Sequence, residues 1–207
     1  MQLFQSTLII CAFVAEVQAL TCYSCTTQGR SCTTEEIACT PRINSCITQS
    51  VSASGGGVNY DVILKNCGMC EGNVSMHFGS MKFSQLCKSC SSNLCNNEPF
   101  IEESSKLNGL ECYTTSLEDP NAISTVKCTG TQDRCVNVLA QFGGVKLEMR
   151  GCASKLICQN FDTSQMGIQL SYTPNCCETN LCNKATLLPG SGISLPILAA
   201  VVMATWL

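Results

Sequence analysis

Nineteen cysteines in 207 residues constrain this chain more than any other feature of its sequence. At that density reduced thiols are a liability, whereas in an oxidising compartment they staple small domains whose apolar cores are too thin to hold them folded. The composition therefore points to secretion. The chain has one histidine, His77, so a Ser-His-Asp, Cys-His or multi-histidine metal site would have to run through it. Its place beside Met76 and Phe78 reads as a strand or surface histidine without chemistry. The formal charge of −3 is small and no run of lysine or arginine occurs, so nucleic acid is not an expected partner.

Both ends read as processing signals. Leu8 to Val14 is apolar, and Val17-Gln18-Ala19 offers small or modest side chains for cleavage after Ala19, making 1–19 a signal peptide. Cys11 leaves with it, and the remaining 18 cysteines can pair completely. Leu195 to Leu207 is uncharged and apolar, but its 13 residues fall short of the roughly 20 that a spanning helix needs. Small residues at Asn183-Lys184-Ala185 and Gly190-Ser191-Gly192 precede it, the order of a glycosylphosphatidylinositol (GPI) attachment signal. Residues 184–207 are then anchor signal and spacer, with Asn183 or Gly190 as the lipid-bearing residue.

Between these ends the chain repeats itself. Leu20-Thr21-Cys22-Tyr23 is echoed by Leu110-Glu111-Cys112-Tyr113, and Asn93-Leu94-Cys95-Asn96 by Asn180-Leu181-Cys182-Asn183. A period of roughly 87 to 90 residues suits tandem small domains. They run over 20–96 and 110–183, and the mostly polar stretch 97–109, with Pro99 and three glutamates, reads as a linker. Strand patterning agrees. Val136, Val138 and Ala140, then Val145, Leu147 and Met149, alternate with mostly polar neighbours around Gly143-Gly144, as in a half-buried hairpin. The matching loop of the first unit has Gly55-Gly56-Gly57 at its tip and Val58, Tyr60, Val62 and Leu64 on its return strand.

The first unit holds ten cysteines and the second eight, and counting alone leaves about 945 and 105 ways to pair them. The doubled Leu-x-Cys-Tyr opening, the Arg150-Gly151-Cys152-Ala153 step, adjacent Cys176-Cys177 and the closing Asn-Leu-Cys-Asn resemble the lymphocyte-antigen-six/urokinase-receptor (LU, three-finger) domain. The resemblance implies a small, disulfide-rich, all-β fold with two tandem three-finger domains. It implies pairing Cys22 with Cys46, Cys25 with Cys32, Cys39 with Cys67, Cys70 with Cys87, and Cys90 with Cys95. In the second unit it implies Cys112 with Cys135, Cys128 with Cys152, Cys158 with Cys176, and Cys177 with Cys182. Thr115 stands where the second unit would carry the equivalent of Cys25, and that cysteine's partner is absent too. The closing Asn96 and Asn183 are structural by the same resemblance, hydrogen-bonding the finger bases.

Rival chemistries are weaker. Cys67-x2-Cys70-x16-Cys87-x2-Cys90 has the spacing of a four-thiolate zinc site, but the equivalent Cys152, Cys158, Cys176 and Cys177 do not, so disulfides are expected and no metal or cofactor. Thiol exchange at the CxxC pairs wants a helix N-terminus, and no capped helical period is present. Glu102-Glu103 in the linker and Glu118-Asp119 before Pro120 read as solvated loop charge. Asn73-Val74-Ser75 is an N-glycosylation sequon.

The resemblance implies a non-catalytic, GPI-anchored cell-surface protein that binds another extracellular protein, with a secreted gamma-type phospholipase A-two inhibitor as the alternative. Finger tips keep side chains exposed on a positioned backbone. Phe142, beside Gly143-Gly144, is the expected binding anchor, with Val58 and Tyr60 of the first unit as the other candidates.

Overall fold

A computed structural model of the chain describes residues 19–55, 57–115, 122–142, 145–159, 169–170 and 174–184. The first unit is three antiparallel hairpins: β1 (Thr21–Gln28) with β2 (Glu35–Ala38), β3 (Cys46–Gly55) with β4 (Val58–Cys67), and β5 (Val74–Phe78) with β6 (Met81–Cys90). The second repeats the first two fingers, with β7 (Leu107–Thr115) on β8 (Ile123–Thr129) and β9 (Arg134–Phe142) on β10 (Val145–Ala153). A 3-10 turn at Lys155–Gln159 and the short β11 (Gln169–Leu170) and β12 (Asn175–Cys177) follow, both strands laid on β9. The fold is all-β.

Disulfides close the base of each unit. They join Cys22 to Cys46, Cys25 to Cys32, Cys39 to Cys67, Cys70 to Cys87 and Cys90 to Cys95 in the first, and Cys112 to Cys135, Cys128 to Cys152, Cys158 to Cys176 and Cys177 to Cys182 in the second. Loop closure of this kind contributes about 2–4 kcal/mol per bridge, chiefly by restricting the unfolded chain. The four cysteines with zinc-like spacing are spread over three of these bridges.

The closing Asn-Leu-Cys-Asn is a clasp made twice. Asn96 Oδ1 accepts from Tyr23 N at 2.9 Å while its Nδ2 donates to the carbonyls of Tyr23 and Ile47. Asn183 does the same with Tyr113 N, Tyr113 O and Val136 O. Leu94 and Leu181 take φ of 54° and 57°, and from that left-handed turn each donates its N–H across the hub, to Thr21 O and Glu111 O. Few non-glycine residues adopt such a φ, and here a disulfide and a buried asparagine hold the turn on either side.

The units do not sit as separate beads. One sheet runs β11-β9-β10-β5-β6-β3-β4-β1-β2, crossing from the second unit to the first where β10 pairs β5, Cys152 opposite His77 and Ala153 opposite Met76. The largest hydrocarbon cluster spans that junction: Val74, Met76 and Phe78 from one side, Val136, Val138, Met149, Ala153 and Ile157 from the other. Apart from it, the clusters of each unit are built mainly of half-cystines.

The stretch 97–109 is a strap rather than a free tether. Thr48 Oγ1 donates to Asn96 O, Ser50 Oγ accepts from Ile101 N, Glu98 pairs with Lys88, and Arg30 lies over the Phe100 ring at 5.1 Å. Its last three residues already belong to β7. Thr48, Ser50, Ile63 and Lys65 are buried, so the covered face of the second finger is the one opposite Val62 and Leu64, which are half-buried. The apolar alternation Val58, Tyr60, Val62, Leu64 therefore marks the less buried face, because the strap supplies a cover that periodicity does not reveal.

Candidate protein-binding surface

Directly opposed residues in a ladder share a face. Tyr60, Ala53, Phe83, Met76 and Ala153 are opposed in turn across β4, β3, β6, β5 and β10, a row that starts near the tip of one unit and ends inside the other. Val62, Val51, Gln85 and Val74 form a parallel row. Met76, Val74 and Ala153 are buried, whereas Tyr60, Val62, Val51, Ala53 and Phe83 are half-buried. The first unit thus presents an apolar sheet face continuous with the shared core and free of formal charge along both rows.

Gly55 ends β3 at φ +130°, and a Cβ there would stand 2.7 Å from Ser80 O and 2.8 Å from Met81 Cα. The second finger is therefore seated on the turn of the third, which gives the face a fixed outline. Val58 pairs with Gly55 at that tip, and Phe142 pairs with Val145 at the tip of the second unit. The side chains of Val58 and Phe142, and Gly143-Gly144 between the strands, lie outside the described residues. Phe83, Val51 and Ala53 were not singled out by sequence, since the signal that selects them is register across three strands. Exposed Met69, Leu107 and Ile123 lie elsewhere.

On the opposite, strap-covered face Arg30 bridges Asp61 and Glu102. Asp61 raises the Arg30 guanidinium above its ordinary value; burial pushes the Asp61 carboxyl up, but hydrogen bonds from Ser52 and Arg30 hold it below the usual range. Under the strap, burial lowers the Lys65 ammonium against the opposing pull of Glu98. In the second unit Arg150 is buried, with Nη2 2.8 Å from Glu148 Oε1, which also accepts from Asn137 Nδ2.

A polar seam joins the units behind the apolar core. Gln132 Nε2 donates to Ser75 Oγ at 2.8 Å, Ser75 N donates to Ser154 Oγ, and Ser154 N donates to Ser75 O. Thr114 Oγ1 accepts from Gly79 N and donates to Arg150 O. Glu103 reaches the seam from the strap: Oε1 accepts from Thr131 N, Oε2 is buried without a partner among the described residues, and burial raises the carboxyl above its ordinary value. Solvated loop charge describes Glu102, whose side chain is 68% exposed, but not Glu103. Glu118 and Asp119 lie outside the described residues. His77 flanks the same junction on β5; burial, then Lys82, lowers its imidazole, and its Nδ1 has no partner among the described residues.

The modification candidates fall in different settings. Asn73 is exposed, with Oδ1 accepting from Cys87 N at 2.8 Å. Asn183 is buried in its clasp and Lys184 is exposed, whereas Gly190, the apolar tail and residues 1–18 lie outside the described residues. Among the described residues no helix is long and apolar enough to cross a membrane.

The u-PAR/Ly-6 domain matches this chain twice, over residues 18–98 and 108–185. Protein RoBo-1 of Rattus norvegicus is 37% identical over 83 residues, which are 37% of this chain and 34% of that protein. The match thus spans about a third of that relative's length. The crystal structure of mouse TEX101 aligns with 76% of this chain and 99% of its own at 13% identity and a TM-score of 0.34.

Proposed function

The chain belongs to the u-PAR/Ly-6 domain family, with two copies of the domain, and from that premise we propose that it is a GPI-anchored cell-surface receptor or modulator that binds another extracellular protein through its fingers and catalyses nothing. Members of the family are in general non-enzymatic binding proteins, extracellular or surface-anchored. The observation that carries the reading is the uncharged apolar face of Val51, Ala53, Tyr60, Val62 and Phe83, displayed on a disulfide-clamped, ten-stranded sheet. Such a face supplies contact area on a backbone that is already ordered, which keeps the entropic cost of binding low. The second finger of the other unit continues the same sheet, and Phe142 near its tip is the further contact in this reading.

Anchorage rests on the apolar tail at 195–207. Gly190 suits the lipid better than Asn183, because the anchor joins the main-chain carbonyl and Asn183 is buried in its clasp, which leaves no slack between domain and membrane. Treating intact expressing cells with a phosphatidylinositol-specific phospholipase should release the protein. Retention, while a control anchored protein is freed, would refute the anchor; spontaneous appearance in the medium would favour the secreted inhibitor. Protein binding is tested by cross-linking on intact cells: wild type should enrich a discrete partner, and Phe142→Ala should weaken it by about 1–3 kcal/mol with Tm nearly unchanged. A lower Tm with unaltered binding would move Phe142 from the contact surface to the core.

A further inference from the structure

The sequon at Asn73 is split by the seam. Asn73 is exposed, one residue ahead of β5. Ser75 is 1% exposed: its Oγ takes Gln132 and its N–H and carbonyl take Ser154, all of the second unit, while Glu103 of the strap also hydrogen-bonds its side chain. A glycosyl acceptor of this type is read through both residues, the asparagine amide and the hydroxyl two positions on. With Ser75 capped, the acceptor is half missing although its asparagine faces solvent.

We propose that Asn73 accepts a glycan only before the second unit docks on the first, and that closure of the β5–β10 seam ends its life as an acceptor. In the transfer, Asn73 Nδ2 bonds to the anomeric carbon of an oligosaccharide carried on a lipid pyrophosphate. The sugar–phosphate C–O bond breaks, the lipid pyrophosphate leaves, and the amide gives up one proton. Gln132 and Ser154 lie 57 and 79 residues beyond Ser75. At a synthesis rate of about 5–20 residues per second, the open interval lasts roughly 3–16 s. Docking then leaves the glycan at the rim of the seam, where a Cβ at Gly72 would stand 3.0 Å from Leu156 Cδ2 of the second unit.

The inference goes beyond the receptor reading and is testable without a partner or an anchor. Full-length protein made with glycan donor synthesis blocked is purified with its bridges intact, then offered an oligosaccharyltransferase and a lipid-pyrophosphate-linked oligosaccharide. The reduced, unfolded chain should be modified at Asn73, and the folded chain at least tenfold more slowly. Gln132→Ala, which removes the second unit's donor from the Ser75 Oγ without a clash, and Gly151→Val, which wedges the seam, should each restore several-fold of that rate with the first unit's bridges still formed. Equal rates for folded and reduced wild type would overturn the proposal. So would a reduced chain that accepts nothing, or a Gln132→Ala chain whose β5 exchanges amide hydrogens freely and yet stays as inert as wild type.

Discussion

In the first unit the residue before the last cysteine of the second finger is Asn66, exposed and bonded through its side chain to the next N–H; in the second unit it is Gly151. A Cβ at Gly151 would stand 2.0 Å from His77 O and 2.9 Å from Phe78 Cδ1. The same strand position is thus open surface in one copy and backbone-on-backbone contact in the other. Such a difference shows where the copies diverged: the clasp is kept bond for bond, and the change falls where one copy became the neighbour of the other. Thr115 tells the same story. At the place of Cys25 it forms no bridge, and its buried hydroxyl instead bonds the backbone of β10 at Glu148 O and Arg150 N.

The sharpest break of this comparison is one substitution made in both places. Gly151→Val should cost at least about 3 kcal/mol by forcing β10 off β5, whereas Asn66→Val should stay within about 1 kcal/mol. Denaturant unfolding of the oxidised protein measures both; equal costs would show that the seam tolerates a side chain. Next in size are Asn96→Ala and Asn183→Ala. Each strands a buried N–H and two carbonyls, for about 2–3 kcal/mol, and the two should agree closely because the clasps match. A large difference in unfolding free energy between them would make the repeat unequal where it looks the same.

The smallest effect is one of pH. Burial raises Glu103, so the folded seam prefers its protonated form: stability is full below the ordinary value of 4.5 and falls as pH rises through the raised folded value. His77, lowered by burial and Lys82, acts oppositely, its contribution growing as pH climbs toward 6.5. Glu103→Gln should remove the first trend and leave the second, so the difference between wild type and variant, followed by thermal unfolding against pH, isolates the carboxyl. A pH-independent difference would place Glu103 in water.

The two domains, their strands and the doubled clasp were legible because each is written locally, in spacing, alternation and repeated words. The pairing of 18 cysteines was not in the counts and came through resemblance. What the sequence hid was mutual: Gly151 reads as one glycine among 15 until His77 is brought against it, and 97–109 is as polar as a tether although it straps a sheet face. Val74, Met76 and Phe78 carried a faint sign, an apolar alternation larger than one small finger needs. Their cover comes from residues 58 and more positions away, and no window along one strand contains it.

The shared core has a consequence for heredity. Two copies that each kept a private interior would remain exchangeable parts, free to be shuffled, lost or joined to other neighbours. Here Met76 and Phe78 lean on Val136, Val138 and Met149, so a change of volume on one side must be answered on the other. Packing thus ties the copies together, and the smallest piece that keeps its interior whole is the pair.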